Sequence, residues 1–368
     1  MKIAFLRFPF SSQLGGEELH TLNLAKHWRS QGHDIFLYGS CPVLNNIFQE
    51  ANFLVKQTTL CKPPVSKFEL LKFSLLYPLN RKKALKLVQE LKNNKIDIVY
   101  CLSLSEKLLL TDLLIIANIK VIWIEHARIG NWLYKNPWRK RYYKLGKSVD
   151  LITVSEQMRL ALQKQDSSLN TKVIPNGIDL TEMQTKATNT EDQDTETTTI
   201  VYIGRLTTDK GVHVLLQALS KLDNKKNWQA RIIGTGKELT NLQNLAKELN
   251  IIDKVKFEKQ LDRAAVTNAL KLSRILVLPS IEADPFGLVI AEGMAAGCET
   301  IATKICGCTD YSSEIHIVKP NDSTDLAGAI TKILQSKNSP LRRQELINEA
   351  ARCFDQKNMY SEYDKLIR

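Results

Sequence analysis

The sequence predicts an α/β protein made of two doubly wound domains in series. Short continuous apolar runs alternate with helical patterns along the chain, as parallel strands covered on both faces require. The alternation breaks once, at a polar and acidic stretch over residues 185–199, and then restarts. The length of 368 residues, 43% of them apolar, suffices for two cores, since one domain ordinarily takes about 100–200 residues.

In the first half, residues 3–7 read as a strand. The pair Gly15-Gly16 then opens a helix over 17–30, Gly32 ends it, and 34–38 is the next strand. Further strands are expected at 98–101, 121–124, 151–154 and 172–174. After the acidic stretch they are expected at 199–203, 230–233, 255–257 and 275–278. Strand–helix–strand order implies right-handed βαβ crossovers. The expected domains are residues 1–180 and 181–357.

Composition narrows the setting. No run approaches the ~18 apolar residues of a membrane span, and the start, Met1-Lys2-Ile3-Ala4-Phe5-Leu6, reads as a strand rather than a leader. A cytoplasmic protein is expected. Seven irregularly spaced cysteines do not make a disulfide framework. The Cys306-Gly307-Cys308 triplet lacks a second ligand pair, so no metal is expected. The net charge of +12 lies in the first half, where residues 1–180 hold 26 Lys and Arg against 14 Asp and Glu. That half is expected to face something anionic.

Ligands of doubly wound sheets bind beyond the strands' carboxyl ends, at helix N-termini, so chemistry is sought just after each strand. Gly15 and Gly16 follow the first strand. They let the backbone approach a ligand, or simply make a tight turn. His126 follows the strand 121–124, where an imidazole can hydrogen-bond a sugar hydroxyl or have a purely structural place. Arg205 and Lys210 follow the strand 199–203 between two glycines; two cations beside a helix start suit a diphosphate. Gly234 opens another strand-to-helix turn.

The segment 279–294 is the most informative. Asp284-Pro285 predicts a helix start, with Asp as N-cap and Pro in the first turn. Phe286, Gly287, Leu288 and Val289 would then offer first-turn N–H groups to an anion. Glu292, two turns on, suits the hydroxyls of a ribose, and Asp284 those of a transferred sugar.

Taken together, these pieces resemble family 4 of the glycosyltransferases, retaining enzymes of the GT-B fold. The resemblance rests on GGEELHTLNLAKHWRSQGHDIFLYG, His126, DLITVSE, VIPNGID, VYIGRLTTDKGVHVLLQAL, RIIGTGKE, ILVLPS and DPFGLVIAEGMAAG, in family order over nearly the whole chain. It implies two Rossmann-like domains with the site in the cleft between them. It implies that a C-terminal helix over 358–368 returns to the first domain, which binds the acceptor, while the second binds the donor. By position, Arg205 and Lys210 would neutralise the donor diphosphate and Gly15 and Gly16 would close the site. His126 would contact the donor sugar, and Glu292 would bind ribose. Asp284 stands at the first carboxylate of the family's E-x7-E motif, where Glu is more usual, with Glu282 as a neighbouring candidate. No cofactor or metal is implied, only a nucleoside-diphosphate sugar.

The acceptor is expected to be a cell-surface glycan or a lipid-linked one, as in lipopolysaccharide, capsule or glycolipid assembly. Residues 67–86 and 132–144 interleave aromatic, leucine and basic side chains, which predicts peripheral contact with an anionic membrane. The same residues would otherwise be core aromatics under a solvated charged face. A non-catalytic binder of sugar nucleotides or glycans is the alternative function. A dinucleotide-dependent oxidoreductase or epimerase is disfavoured because no G-x-G-x-x-G is present. A nucleic-acid partner is not expected.

Overall fold

The computed structural model describes residues 1–8, 15–184, 197–223 and 227–368. Residues 11–14 of the glycine-pair loop and 185–196 of the acidic stretch lie outside them. The chain divides into two compact units, Met1–Ile174 with Tyr360–Arg368, and Pro175–Met359.

The strands of the first unit are β1 (Lys2–Arg7), β2 (Asp34–Gly39), β3 (Leu54–Gln57), β4 (Ile98–Cys101), β5 (Lys120–Glu125), β6 (Asp150–Thr153) and β7 (Thr171–Val173). They form one parallel sheet in the order β3-β2-β1-β4-β5-β6-β7. Helices lie between them in sequence, the signature of βαβ winding. The apolar run Ile3–Leu6 is fully buried because β1 is central: Phe5 lies beside Leu37 on one side and Tyr100 on the other. Trp28, on the helix Gly16–Ser30, packs on Phe5 with ring centres 6.0 Å apart.

The second unit holds β8 (Thr198–Ile203), β9 (Trp228–Ile233), β10 (Val255–Glu258), β11 (Ile275–Leu278), β12 (Glu299–Thr303) and β13 (His316–Val318). Their order is β10-β9-β8-β11-β12-β13, again parallel. Both units are thus Rossmann-like. Strands β3, β12 and β13 add to those the sequence suggested.

The final helix, Gln356–Ile367, carries residues of both units. Its second half belongs to the first unit, where Asp364 accepts hydrogen bonds from Trp28 Nε1 at 2.9 Å and His27 Nε2 at 3.0 Å. Tyr360 stacks on the His27 ring at 4.2 Å, and Tyr363, Leu366 and Ile367 are buried.

Candidate active site

In the second unit the strand order reverses between β8 and β11, the point at which doubly wound sheets take ligands. The loop after β8 carries Arg205, makes a 3-10 turn over Thr208–Lys210 and enters the helix Val212–Leu219 through Gly211. Gly211 has φ +67°, and a Cβ there would stand 2.0 Å from the Pro279 carbonyl oxygen. Only glycine allows that approach. The contact seats the β8 loop against the loop after β11, and Ile281 N–H donates to Asp209 O at 2.9 Å.

That seating brings Lys210 to Asp284. Lys210 Nζ lies 2.5 Å from Asp284 Oδ2, and both side chains are largely buried. Arg205 stays mostly exposed, with its guanidinium 3.5 Å from Asp209. Its backbone is fixed by the Tyr202 hydroxyl, which donates to Arg205 O at 2.7 Å. Gly234 has φ +150°, and its missing Cβ would lie 1.9 Å from Gly204 O. The need for glycine there comes from two neighbouring loops touching.

The expected helix start at Asp284-Pro285 is not where the helix begins. The helix spans Leu288–Ala295, and its N-cap is Gly287 at φ +83°. Residues 284–286 are instead hydrogen-bonded to 305–308, with an isolated parallel bridge between Asp284 and Cys306. Asp284 N–H donates to Ile305 O, Gly307 N–H to Asp284 O and Cys308 N–H to Phe286 O, at 2.8–3.1 Å. This pairing satisfies backbone groups a first turn would leave open, so it prevails over the local capping signal. Cys306 and Cys308 are buried in it and form no disulfide, and burial pushes the Cys306 thiol up to about 12. Phe286 N–H reaches Asp284 Oδ1 at 3.4 Å. The N–H groups of Gly287, Leu288 and Val289 have no hydrogen-bond partner among the described residues. Three consecutive donors at a helix start make a positive end for an anion.

Glu292 is nearly buried, and its Oε1 is bonded to Arg263 Nη1. Arg263 opens the helix Arg263–Lys271, capped by Asp262, whose Oδ1 accepts from Ala265 N–H at 2.8 Å. Among the described residues, no group of three or more His, Cys, Asp or Glu side chains is placed to hold a metal ion.

In the first unit, Gly15 is the extended N-cap of the helix Gly16–Ser30, and its N–H donates to Glu18 Oε2 at 3.1 Å. His126 directly follows β5 and meets His20 of that helix edge to face, with ring centres 4.6 Å apart. His20 in turn meets Tyr363 at 5.4 Å. Neither His20 nitrogen nor His126 Nε2 has a hydrogen-bond partner among the described residues. Burial lowers the His20 pKa to about 4. Burial, with His20, Arg7 and Lys107 nearby, holds His126 well below its usual value. At neutral pH both rings are therefore uncharged.

The peptide before His126 is clamped by a buried ion pair. Lys107 Nζ donates to Ile124 O at 2.8 Å and to Glu125 Oε1 at 2.7 Å. The Tyr142 hydroxyl donates to the same oxygen at 2.7 Å. A buried pair of this kind needs its extra hydrogen bonds to offset desolvation.

Two adjacent family models match the chain. "Glycosyltransferase Family 4" covers residues 14–182, and "Glycosyl transferases group 1" covers residues 183–352. The chain belongs to glycosyltransferase family 4. This glycosyltransferase is 25% identical over 392 residues to an uncharacterized glycosyltransferase of Methanocaldococcus jannaschii, spanning 99% of this chain and 94% of the relative. An uncharacterized glycosyltransferase of Haemophilus influenzae is 29% identical, with 82% and 80% covered. Among solved structures, a Rickettsia africae glycosyltransferase superposes with TM-score 0.82 at 21% identity, covering 100% of this chain and 98% of that one. Anabaena HepE in complex with UDP gives 0.83 at 20%, covering 100% and 99%. The lipopolysaccharide outer core galactosyltransferase WaaB gives 0.76 at 18%, covering 100% and 99%. The fold is thus GT-B.

In this glycosyltransferase, Arg205, Lys210, Gly234, Asp284, residues 286–289 and Glu292 all belong to the second unit, and Gly15, Gly16 and His126 to the first. Lys210 and Asp284 are brought into contact. A bonded partner of Glu292 is Arg263, which sequence reading did not single out. His20 and Lys107 were missed as well. The available signal for His20 was its place one turn after the glycine pair, and Lys107 resembled any helix lysine.

Proposed function

We propose that this glycosyltransferase moves a hexose-type sugar from a nucleoside diphosphate to a cell-surface glycan or lipid-linked acceptor, with retention and without a metal ion. The observation that carries the donor reading is the contact of Lys210 with Asp284, three residues before Gly287–Val289, whose N–H groups at the helix start have no hydrogen-bond partner among the described residues. As the nucleoside diphosphate leaves, negative charge grows on its β-phosphate. An ammonium and a helix start already fixed in place stabilise that charge with little reorganisation. Arg205 adds an exposed cation, and Glu292 takes the ribose hydroxyls. Asp284 holds hydroxyls of the departing sugar, and neutral His126 hydrogen-bonds the same sugar. Gly15 and Gly16 let the first unit's backbone come near the donor. Retention is consistent with attack from the face the phosphate leaves, with the phosphate oxygen taking the acceptor's proton.

HepE was solved with UDP and with UDP-glucose, and WaaB is a lipopolysaccharide galactosyltransferase; both support this reading by kinship of fold. The test is incubation with UDP-, GDP- and ADP-sugars, with and without EDTA, following nucleotide release and the anomeric configuration by NMR. Release insensitive to EDTA with the α configuration kept is the expected outcome. Nucleotide binding with no release, with or without acceptor, would favour the non-catalytic binder.

We also propose that the first unit docks on the anionic cytoplasmic face of a membrane to reach a lipid-linked acceptor. Among the described residues no helix is long and apolar enough to cross one. The helix Lys67–Leu75 exposes Phe68, Leu71 and Leu75 at 71%, 61% and 72%, and Lys67, Lys72, Lys82, Lys83 and Lys86 are exposed beside them. Such a face suits the headgroup boundary. The second basic-aromatic segment contributes less, because its side chains turn inward. Leu133 and Tyr142 are buried, and Trp138 stacks on Tyr77 at 4.7 Å. Arg141 and Arg81 are both bonded to Asp112. Replacing Phe68, Leu71 and Leu75 together by Ser should abolish cosedimentation with phosphatidylglycerol vesicles and leave the melting temperature unchanged. Undiminished cosedimentation would refute this surface.

A further inference from the structure

We infer that Arg263 is a positioning residue for the donor's ribose, acting through Glu292. The inference rests on the proposed ribose role of Glu292 and adds to it the group that orients that carboxylate. Glu292 stands on the helix Leu288–Ala295 with its side chain only 12% exposed. A carboxylate so enclosed is favoured by an opposite charge beside it. Arg263, from the neighbouring helix Arg263–Lys271, supplies it by donating from Nη1 to Oε1.

The pair arises from packing that local sequence does not show. Arg263 follows the carboxyl end of β10 and Glu292 that of β11, and their two helices pack against each other. Asp262 caps the first of them, which fixes where the arginine side chain leaves the backbone. The Arg263 side chain is 42% exposed, so the pair sits at the rim of the second unit's ligand end and not in its core. A rim ion pair contributes little to stability, so its weight falls on the orientation of the carboxylate.

Charge pairing and ribose binding are compatible on one carboxylate. An ionised Glu accepts about four hydrogen bonds through its two oxygens, so an arginine on Oε1 does not use up its capacity. A charged acceptor makes the stronger bond to a hydroxyl, and the guanidinium on Oε1 fixes the direction in which that carboxylate faces. Lysine at 263 would supply charge without the planar fork and would restore part of the effect.

The test measures affinities of the full-length protein for UDP, GDP and ADP, and for their 2′,3′-dideoxy forms, by calorimetry. In the wild type, the ribonucleotide that binds best should lose affinity on removal of its ribose hydroxyls. R263A should weaken that ribonucleotide by about tenfold and its dideoxy form by less than twofold, with R263K between. Donor KM should rise in parallel, and the melting temperature should stay within about 2 °C. Equal weakening of ribo and dideoxy forms would overturn the inference, because a general disturbance does not distinguish them. Tighter ribonucleotide binding by R263A would overturn it too, since Arg263 would then be a competitor for the carboxylate. If the wild type binds none of the three nucleotides, the donor reading itself fails. If it binds and R263A binds equally, only the role of Arg263 fails.

Discussion

Replacing Lys210 by Ala should lower glycosyl transfer by about 10²–10³-fold, the usual loss when one fixed donor to a developing oxyanion is removed. The size follows from how firmly the ammonium is held. Gly211 lets the β8 loop lie against Pro279, and Asp284 then meets Lys210 Nζ at 2.5 Å. Charge that needs no reorganisation during the reaction is worth most in a partly dry site. The loss should appear in kcat more than in donor KM, because the leaving phosphate is more negative in the transition state. Arg205→Ala should cost less, since its side chain is 61% exposed and must be ordered before it helps. Lys210→Ala also leaves a nearly buried Asp284 without its partner, so its melting temperature should be measured alongside. Undiminished transfer by a folded Lys210→Ala protein would remove the electrostatic account of the site.

The protein should also lose stability as the pH falls from about 6.5 to 4, with His20 as a main cause and His126 beside it acting in the same direction. His20 has a folded-state pKa of about 4, against an ordinary value of 6.5. Its native pKa is depressed, so over that window the unfolded chain binds a proton that the native chain does not. Stability is therefore complete above pH 6.5 and falls as acid is added, levelling below pH 4. The difference of about 2.5 units corresponds to about 3 kcal/mol for His20 alone. His126 shifts in the same direction, with Arg7 and Lys107 adding to the penalty on its charged form. Urea unfolding of the wild type and of His20→Phe between pH 7 and 4 checks this. The phenyl ring keeps the contacts with His126 and Tyr363 but cannot bind a proton. The wild type should lose about 3 kcal/mol relative to the variant over that range. Parallel curves would show that His20 titrates normally.

Much of the fold was legible because buried parallel strands announce themselves. Residues 3–7, 98–101 and 275–278 are apolar runs that cannot be left in water, and each became a central strand. The strands that were missed carry weaker signals. β3 lies at a sheet edge and exposes Leu54 at 63%, so no continuous apolar run marks it. β12 begins with Glu299, an unlikely strand residue by propensity. Its place depends on Arg342 and His316, at 2.8 and 3.3 Å. The misplaced helix start at Asp284 has a related cause. Asp-Pro is a sound local signal, but pairing with residues 305–308 decided the backbone there.

The site was legible only one residue at a time. A strand's carboxyl end can be found from sequence, so Lys210, His126 and Glu292 could be singled out. Their pairings could not, even where both members were singled out as Lys210 and Asp284 were, because contacts such as Lys210 with Asp284, Arg263 with Glu292 and His20 with His126 join separate βα segments. Lys107 is the extreme case. Nothing in its neighbourhood distinguishes it from a surface lysine, yet its side chain is 1% exposed and holds Glu125.

The interleaved order of the two units bears on synthesis. The first unit is completed by Tyr360–Arg368, which the ribosome makes after all of Pro175–Met359. Until that segment emerges, Trp28 Nε1 lacks its Asp364 acceptor and the nascent sheet has no Tyr363 packed on His20. The half translated first is therefore the half that matures last. Chaperone occupancy during translation should centre on it, and a chain truncated before residue 360 should remain a client.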